Sequence, residues 1–302
     1  MSDSTSIEWT DATFNPWSGC TKVSPGCANC YAANLPPSMR RGAVWGDSNP
    51  RIVASDAYWA QPHAWNRKAA KEGKRMRVFC ASTADVFEAR DDLDPHRARL
   101  FNLIVETPWL DWQLLTKRPE HARKWWEARE DEARREGGEA WWPANAWIGT
   151  SVENQEQAEI RIPHLQQIPA RVRFLSAEPL LGPLSLPIAA FDGSGSFSAM
   201  DGIHWVIVGG ESGRGTNVRP MHPQWVRDIR DDCARAGVPF LFKQWGRWVT
   251  EAQAPDDIVL PASSWQARGW KRSDPTVYDV GKVEAGRLLD GVTHDGFPER
   301  TA

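Results

Sequence analysis

The chain lacks a basic excess: 36 Lys and Arg stand against 39 Asp and Glu in 302 residues, a formal net charge of −3. Such a balance creates no long-range field to gather nucleic acid or an anionic membrane, so any contact of that kind must be local. Long hydrophobic runs are lacking too. No segment approaches the roughly 18 uninterrupted apolar residues that a membrane helix needs, and the opening MSDSTSIEWTDATFNPW has neither a basic start nor an apolar stretch. The expectation is a cytoplasmic protein with no membrane role. Cysteine is scarce and odd in number, five in all, with three inside the stretch Cys20 to Cys30. That excludes a secreted disulfide scaffold as the natural expectation and leaves reduced thiols available to a metal. No internal repeat is present beyond an alternation of strand-like and helix-like segments.

What is present begins with 41% hydrophobic and 25% charged residues, ordinary for a globular protein with a substantial core. The 18 tryptophans, paired at Trp125-Trp126 and Trp141-Trp142, are expected in cores and interfaces rather than on a base-stacking surface. Six short apolar segments read as strands buried on both faces: Arg77 to Ala81, Trp112 to Leu115, Trp147 to Gly149, Val172 to Leu175, His204 to Val208 and Pro239 to Phe242. A seventh is expected near Ile7 to Thr10, leading into the cysteine-bearing loop. Amphipathic stretches at Pro95 to Glu106, Gln155 to Gln167 and Pro223 to Ala236 lie between them, the last closed by Gly237. Alternating strands and helices imply a parallel sheet, which periodicity alone assigns neither to an open barrel nor to a doubly wound sheet.

Three stretches read as insertions forming surface loops or lids: Pro36 to Lys74, Glu127 to Ala144, and Pro187 to Gly202. Beyond Trp248 the pattern becomes polar and Pro-containing, which places a domain boundary near residue 250 and leaves 251–302 as an extension of unassigned role.

The segment Asn15 to Ala32, NPWSGCTKVSPGCANCYA, spaces Cys20, Cys27 and Cys30 as C-x6-C-x2-C. Short spacing lets one loop wrap a metal centre, and Gly19, Pro25 and Gly26 supply turns. A structural zinc closes its shell with four ligands, whereas an iron–sulfur cluster held by three thiolates keeps one iron open. Zinc remains a possibility if Cys80, Cys233 or His63 completes the set. Cys80, in an apolar strand, and Cys233, in an amphipathic helix, read better as core thiols.

Polar groups follow each strand-like segment, where parallel α/β folds collect their catalytic groups. They are Ser82, Thr83 and Asp85; Thr116, Lys117 and Arg118; Thr150, Ser151, Glu153 and Asn154; Ser176 and Glu178; Gly209, Gly210, Glu211 and Ser212; Lys243 and Gln244. Ser82, Ser151 and Ser212 also suit helix N-caps. Charges converging on one rim are costly unless they pair with one another or serve a ligand.

The run N-P-W-x-G-C followed by G-C-x-x-C-Y-A is similar to the cluster loop of radical S-adenosylmethionine (SAM) enzymes related to spore photoproduct lyase. Those enzymes use a C-x3-C-x2-C spacing with an aromatic before the last cysteine, where this chain has Asn29 and then Tyr31 after Cys30. The segments LLTKRPEH, WIGTSVEN, RFLSAEPLLG, VIVGGESG and PFLFKQWG resemble the phage-associated three-Cys-motif family, which is treated as radical-SAM-like. The resemblance spans roughly residues 7–250. It implies a partial (β/α) barrel of six or seven parallel strands and a 4Fe-4S cluster on Cys20, Cys27 and Cys30. It further implies SAM as cofactor, an electron donor such as flavodoxin or ferredoxin, and a 5′-deoxyadenosyl radical that abstracts hydrogen from a substrate.

In that setting Lys117 or Arg118 would meet the SAM carboxylate, Glu153 or Glu178 the ribose, and Ser82, Thr83 or Asp85 the amino group. Gly209-Gly210 would allow close backbone approach, Glu211 would accept hydrogen bonds, and Lys243 with Gln244 would face substrate. The Gly-Gly-Glu run follows a late strand, so the role of the similar motif of radical SAM enzymes does not transfer to it. A nucleic-acid substrate is suggested by that relative and by the basic stretches Arg40-Arg41, Lys68 to Arg77 and Lys117 to Lys124. The rival expectations are a zinc- or cluster-stabilised binding module for a partner protein, and a nuclease holding Mg2+ on Asp85, Glu153 and Glu178.

Overall fold

The computed structural model describes residues 5, 7–186, 189–191, 196–213, 217–255, 258–267 and 270–299, with only the backbone described at 189–191, 196 and 197. In chain order the elements are β1 (Ala12–Thr13), β2 (Trp17–Ser18), β3 (Ile52–Val53), α1 (Asp56–Trp59), α2 (Gln61–Glu72), β4 (Met76–Cys80), α3 (Asp94–Glu106), β5 (Leu110–Thr116), α4 (Pro119–Arg135), β6 (Ala146–Ser151) and α5 (Gln155–Gln166). There follow β7 (Arg173–Ala177), β8 (Ala189–Phe191), β9 (Ser196–Ser198), β10 (Trp205–Gly209), α6 (Pro223–Ala236), β11 (Phe240–Gln244), β12 (Trp248–Val249), β13 (Tyr278–Asp279) and α7 (Lys282–Ala285). Seven strands form one parallel sheet in the order β1-β4-β5-β6-β7-β10-β11, the open sheet of a partial (β/α) barrel. All six strands expected from apolar runs are present. β5, β6 and β10 are buried along almost their whole length, as strands covered on both faces must be. The seventh lies at Ala12–Thr13 rather than at Ile7 to Thr10, because the backbone of Asp11 and Phe14, not the more apolar residues before them, bonds to β4.

The chain divides into two compact units. The first comprises Met1–Val23, Ala32–Thr150 and Arg161–Arg173, and the second Ser24–Tyr31, Ser151–Ile160 and Phe174–Ala302. In the first unit, Phe101, Trp125, Trp126 and Trp142 form an aromatic cluster in which the Trp126 and Trp142 rings lie 5.2 Å apart. This is the packing role expected of tryptophan. It also corrects the expectation of a loop over Glu127 to Ala144, because α4 continues to Arg135 and Trp142 is buried with its Nε1 donating to Ala146 O. The stretch Pro36 to Lys74 is likewise no simple lid. It supplies β3, which pairs with β2, and α2, which begins with Pro62 in its first turn and ends at Gly73 in the left-handed conformation.

In the second unit α6 starts on His222, whose Nδ1 accepts from Gln224 N, and stops at Gly237, as expected from the sequence. The described residues after 250 pack within this unit, so the boundary expected near residue 250 does not divide it. β13 pairs with β12, Phe242 N donates to His294 O, and Gly296 exchanges backbone contact with Phe240, so the C-terminal segment covers the edge strand β11. An uncovered edge would expose a row of unpaired backbone groups. Within the expected insertion Pro187 to Gly202, residues 187, 188 and 192–195 lie outside the described residues, and β8 and β9 pair as an antiparallel hairpin. Cys80 and Cys233 are buried, as expected of core thiols, and burial drives both thiols upward, Cys233 to about 12.

Candidate functional site

In the first unit the cysteine-bearing segment runs from β1 along the end of β4. Asn15 starts it: its Oδ1 accepts from the backbone N–H groups of Ser82 (2.7 Å) and Thr83 (2.9 Å), and its Nδ2 donates to Ser82 Oγ. Gly19 then donates to Thr83 O at a φ of +109°, a conformation that favours glycine, and Ser18 and Thr83 share a buried hydroxyl contact of 3.0 Å. Ser82 and Thr83 therefore serve this junction.

Behind Cys20 lies a buried group of four charges: Arg51, Glu88, Asp85 and Arg118. Glu88 accepts from Arg51 Nε at 2.7 Å and Nη2 at 2.6 Å. Asp85 accepts from Thr116 Oγ1 (2.7 Å), Lys117 N (3.0 Å), Phe87 N (3.0 Å) and Arg118 Nη1 (2.9 Å). The two guanidinium groups also hold the loop. Arg118 Nη2 donates to Thr21 O at 2.7 Å, Arg51 Nη2 to Thr21 Oγ1 at 2.8 Å, and Arg118 Nη1 lies 3.7 Å from Cys20 Sγ. Burial would raise the Asp85 carboxyl, but Arg118, Thr116 and the two backbone donors overcome it and hold the group below the ordinary range. Burial first, and the Asp85 carboxylate second, push the Cys20 thiol up to about 12 against the opposing pull of Arg118.

The second unit holds its own part of the loop with carboxylates. Glu153, fully buried at the end of β6, accepts from Gly26 N at 3.1 Å. A Cβ at position 26 would lie 2.9 Å from Glu153 Oε1, so a larger residue there would have to displace the buried Glu153 carboxylate. Glu211, at the end of β10, accepts from Asn29 Nδ2 (2.9 Å), from Arg219 N (2.8 Å) and from the Arg219 guanidinium. Arg219 Nη2 in turn donates to Pro25 O at 3.0 Å, and Asn29 Nδ2 to Asn217 O at 2.7 Å. Burial would raise the Glu211 carboxyl, and the Arg219 and Asn29 hydrogen bonds bring it below its ordinary value.

Further along the same unit, Glu178 is paired with Lys243 Nζ at 2.8 Å and accepts from Gln244 Nε2. Gln244 also donates to Gly210 O and Ser212 Oγ, and accepts from Gly246 N. Gly210 is obligatory here, since a Cβ would stand 2.0 Å from Trp245 O. The glycine pair is thus used for contact between chain segments.

The sequence expected three serines as possible helix caps, and the structure places them otherwise. Ser151 is buried within β6, Ser82 bonds Asn15, and Ser212 accepts from Gln244; the cap of α5 is Asn154, whose Oδ1 accepts from Gln157 N. Thr116 and Thr150 are joined through Thr150 Oγ1 to Thr116 O, and Ser176 is buried in β7. Within each unit, then, the rim charges pair mutually or hold the loop. Arg51, Glu88, Asn15, Asn29 and Arg219 were missed by sequence reasoning. Asn15 could have been found inside the NPW run beside Cys20. Arg51 sits 37 positions from Glu88 in an apparent insertion, and nothing local marks the pair.

The donor chemistry suits a thiolate-bound metal centre in kind: Cys20, Cys27 and Cys30 are half-buried thiols outside any disulfide. Cys27 and Cys30 lie on successive turns, with Cys27 N donating to Ser24 O and Cys30 N to Cys27 O. Among the described residues no three His, Cys, Asp or Glu side chains are gathered as metal ligands. Among them, too, no helix is long and apolar enough to cross a membrane.

No curated protein and no solved structure matches the chain. Residues 4–298 match a family described as "Protein of unknown function (DUF5131)". Since that match covers almost the whole chain, the protein belongs to the DUF5131 family.

Proposed function

We propose that the protein is a radical SAM enzyme in which Cys20, Cys27 and Cys30 hold a 4Fe-4S cluster. One observation carries the reading: in each unit, charged side chains, most of them buried and several at strand ends, are committed to holding the cysteine loop. Arg118 and Arg51 grip Thr21 beside Cys20, while Glu153 grips Gly26 and Glu211 with Arg219 grips Asn29 and Pro25. Buried charges are expensive, and directing them at an irregular loop makes physical sense where its thiols must be held in place for a ligand.

When bound, such a cluster supplies one electron, received from a donor such as flavodoxin or ferredoxin, to split SAM into methionine and a 5′-deoxyadenosyl group that takes a hydrogen atom from substrate. The chain's own part is positional. Asn15 and Gly19 set the entry of the loop, Arg118 places Cys20, and Glu153 and Glu211 fix the turns bearing Cys27 and Cys30. Lys117 is a strand-end cation of the kind that would meet a SAM or substrate carboxylate, whereas Lys243 is committed to Glu178. Asp85 and Glu178 already meet Arg118 and Lys243, which disfavours their use as Mg2+ ligands in a nuclease. Cys80 and Cys233 are packed in the core and His63 lies by Glu106, so none is offered as a fourth zinc ligand.

The test is anaerobic reconstitution followed by incubation with SAM and dithionite. About four iron and four sulfide per chain are expected, with 5′-deoxyadenosine released and lost in Cys30→Ala. Stoichiometric zinc in the anaerobically purified protein would overturn the reading.

A further inference from the structure

Two surface helices of the first unit differ in their cations. Among the described residues α4 pairs Arg123, Arg129 and Arg134 with acids while leaving Lys124 and Arg135 without one, and α2 pairs no Lys or Arg with an acid. On α4, Arg123 meets Glu127 at 2.8 Å, Arg129 meets Glu132 at 3.3 Å, and Arg134 meets Asp131 at 2.6 Å and Glu130 at 3.5 Å. These are the i,i+3 and i,i+4 pairs of a solvated helix. On α2 the exposed Arg67, Lys68 and Lys71, with Lys74 just beyond Gly73, have no acidic partner among the described residues.

Helical spacing explains the arrangement of the face. Pro62, Trp65 and Ala69 are buried against the unit, and Ala64, Arg67, Ala70 and Lys71 project from the opposite side. The two alanines leave the longer cations unobstructed. Arg67 and Lys71 repel each other at i,i+4, and no acid on that face relieves them; Glu72 lies toward the flank of Trp65, and Glu106 stands by His63 at the other end. The helix dipole favours a cation in the last turn. Arg134 on α4 enjoys the same benefit and is nevertheless paired.

We infer that this face of α2 is a docking surface for the phosphate backbone of a nucleic acid. The face carries unpaired, flexible cations and no exposed large apolar or aromatic side chain, so it lacks the apolar centre of a protein interface. It also lacks the aromatic platforms that stack bases, which leaves phosphate contact as the chemistry it fits. On a chain of net charge −3 the attraction is local, as a patch of this size supplies. The inference stands whether or not the cysteine loop holds a cluster.

The test measures anisotropy of a fluorescein-labelled DNA duplex, and of its single strand, with the full chain over a potassium chloride series. Binding that weakens with salt is expected. The Arg67→Glu/Lys71→Glu variant should weaken it about tenfold or more at low salt and flatten the logarithmic salt slope by about two. Arg129→Glu/Arg134→Glu changes net charge equally and should leave affinity within about twofold. Circular dichroism establishes that the variants fold; if the first does not, Arg67→Gln/Lys71→Gln takes its place, with the same direction expected. Absence of binding to both probes, equal loss in the α4 variant, or saturable binding to phosphatidylserine-containing vesicles without binding to either nucleic acid would overturn the inference.

Discussion

The two units hold their parts of the cysteine loop with a different balance of charges. Around Cys20 the holding groups are cations, Arg118 and Arg51, which take the carbonyl and hydroxyl oxygens of Thr21 and are themselves neutralised by Asp85 and Glu88. Around Cys27 and Cys30 carboxylates lead, Glu153 and Glu211 taking the donors of Gly26 and Asn29, and the one cation, Arg219, takes Pro25 O while held by Glu211. The difference follows from what each part of the loop presents. The segment running along β4 presents the Thr21 carbonyl and hydroxyl, whereas the turn over Pro25–Cys27 presents the Gly26 amide hydrogen, and Asn29 just beyond it adds its side-chain amide. A cation must be backed by a buried acid to sit at such a place; a carboxylate can be satisfied by the loop's own donors and one arginine.

The largest effect is expected where that backing is broken. Arg51→Ala leaves buried Glu88 only the longer, 3.8 Å ion pair with Arg118 and should cost about 3 kcal/mol in denaturant unfolding, with faster alkylation of Cys20 on peptide mapping. A loss no greater than that of a surface substitution would show that the first unit does not depend on its cations.

Gly26→Ala attacks the other side of the comparison. Its Cβ would press on Glu153 Oε1, and a destabilisation of about 1–3 kcal/mol is expected. Alkylation should rise at Cys27 and Cys30 and stay unchanged at Cys20, while Cys80 and Cys233 remain protected as internal controls. Uniform exposure of all five thiols would instead mean that the whole chain had loosened.

Glu211→Gln sharpens the electrostatic half of the contrast through pH. The folded-state carboxyl is held below its ordinary value, so its contribution is present above the unfolded pKa and is lost as pH falls through the folded one. The wild type should lose stability in that acid range by a margin that Glu211→Gln lacks, read from midpoints of unfolding between neutral and acid pH. A smaller effect of the same sign is expected at Asp290, held low by hydrogen bonds from Arg227, with Gln253 and Arg230 adding to them. This pair is partly exposed, and Asp290→Asn should cost no more than about 1 kcal/mol while leaving thiol alkylation unchanged. Asparagine tolerates the left-handed backbone at that position, so the substitution isolates the charge.

Much of the framework was legible because it depends on local pattern. Strands covered on both faces require continuous apolar runs, and β5, β6 and β10 have them; α6 ends where Gly237 permits it. Two of the stretches expected to be loops or lids, Pro36 to Lys74 and Glu127 to Ala144, contain helix instead, for a physical reason as well. Proline, glycine and charge mark irregular chain on average, yet Pro62 opens a helix, Gly73 closes it, and the charge run after Glu127 is the solvent face of α4.

The candidate site was legible as composition and not as wiring. Asp85, Arg118, Glu153, Glu178 and Glu211 could each be picked out as a charge following a strand, because parallel strands deliver their C-terminal ends to one rim. Their partners could not. Arg51 reaches Glu88 from the presumed insertion, Lys243 reaches Glu178 across 65 positions, and Arg219 reaches Pro25 across 194.

By itself, the sequence determined the order of strands and helices, the crowding of three thiols in one loop, and the burial of Cys80 and Cys233. Those depend on periodicity, spacing and hydrophobicity, which are properties of neighbouring residues. Tertiary structure alone decided which charges neutralise one another, which of them hold the loop, and which cations on α2 remain without an acid. A charge's partner is chosen by distance in space under the cost of burial, and chain separation carries no record of that distance.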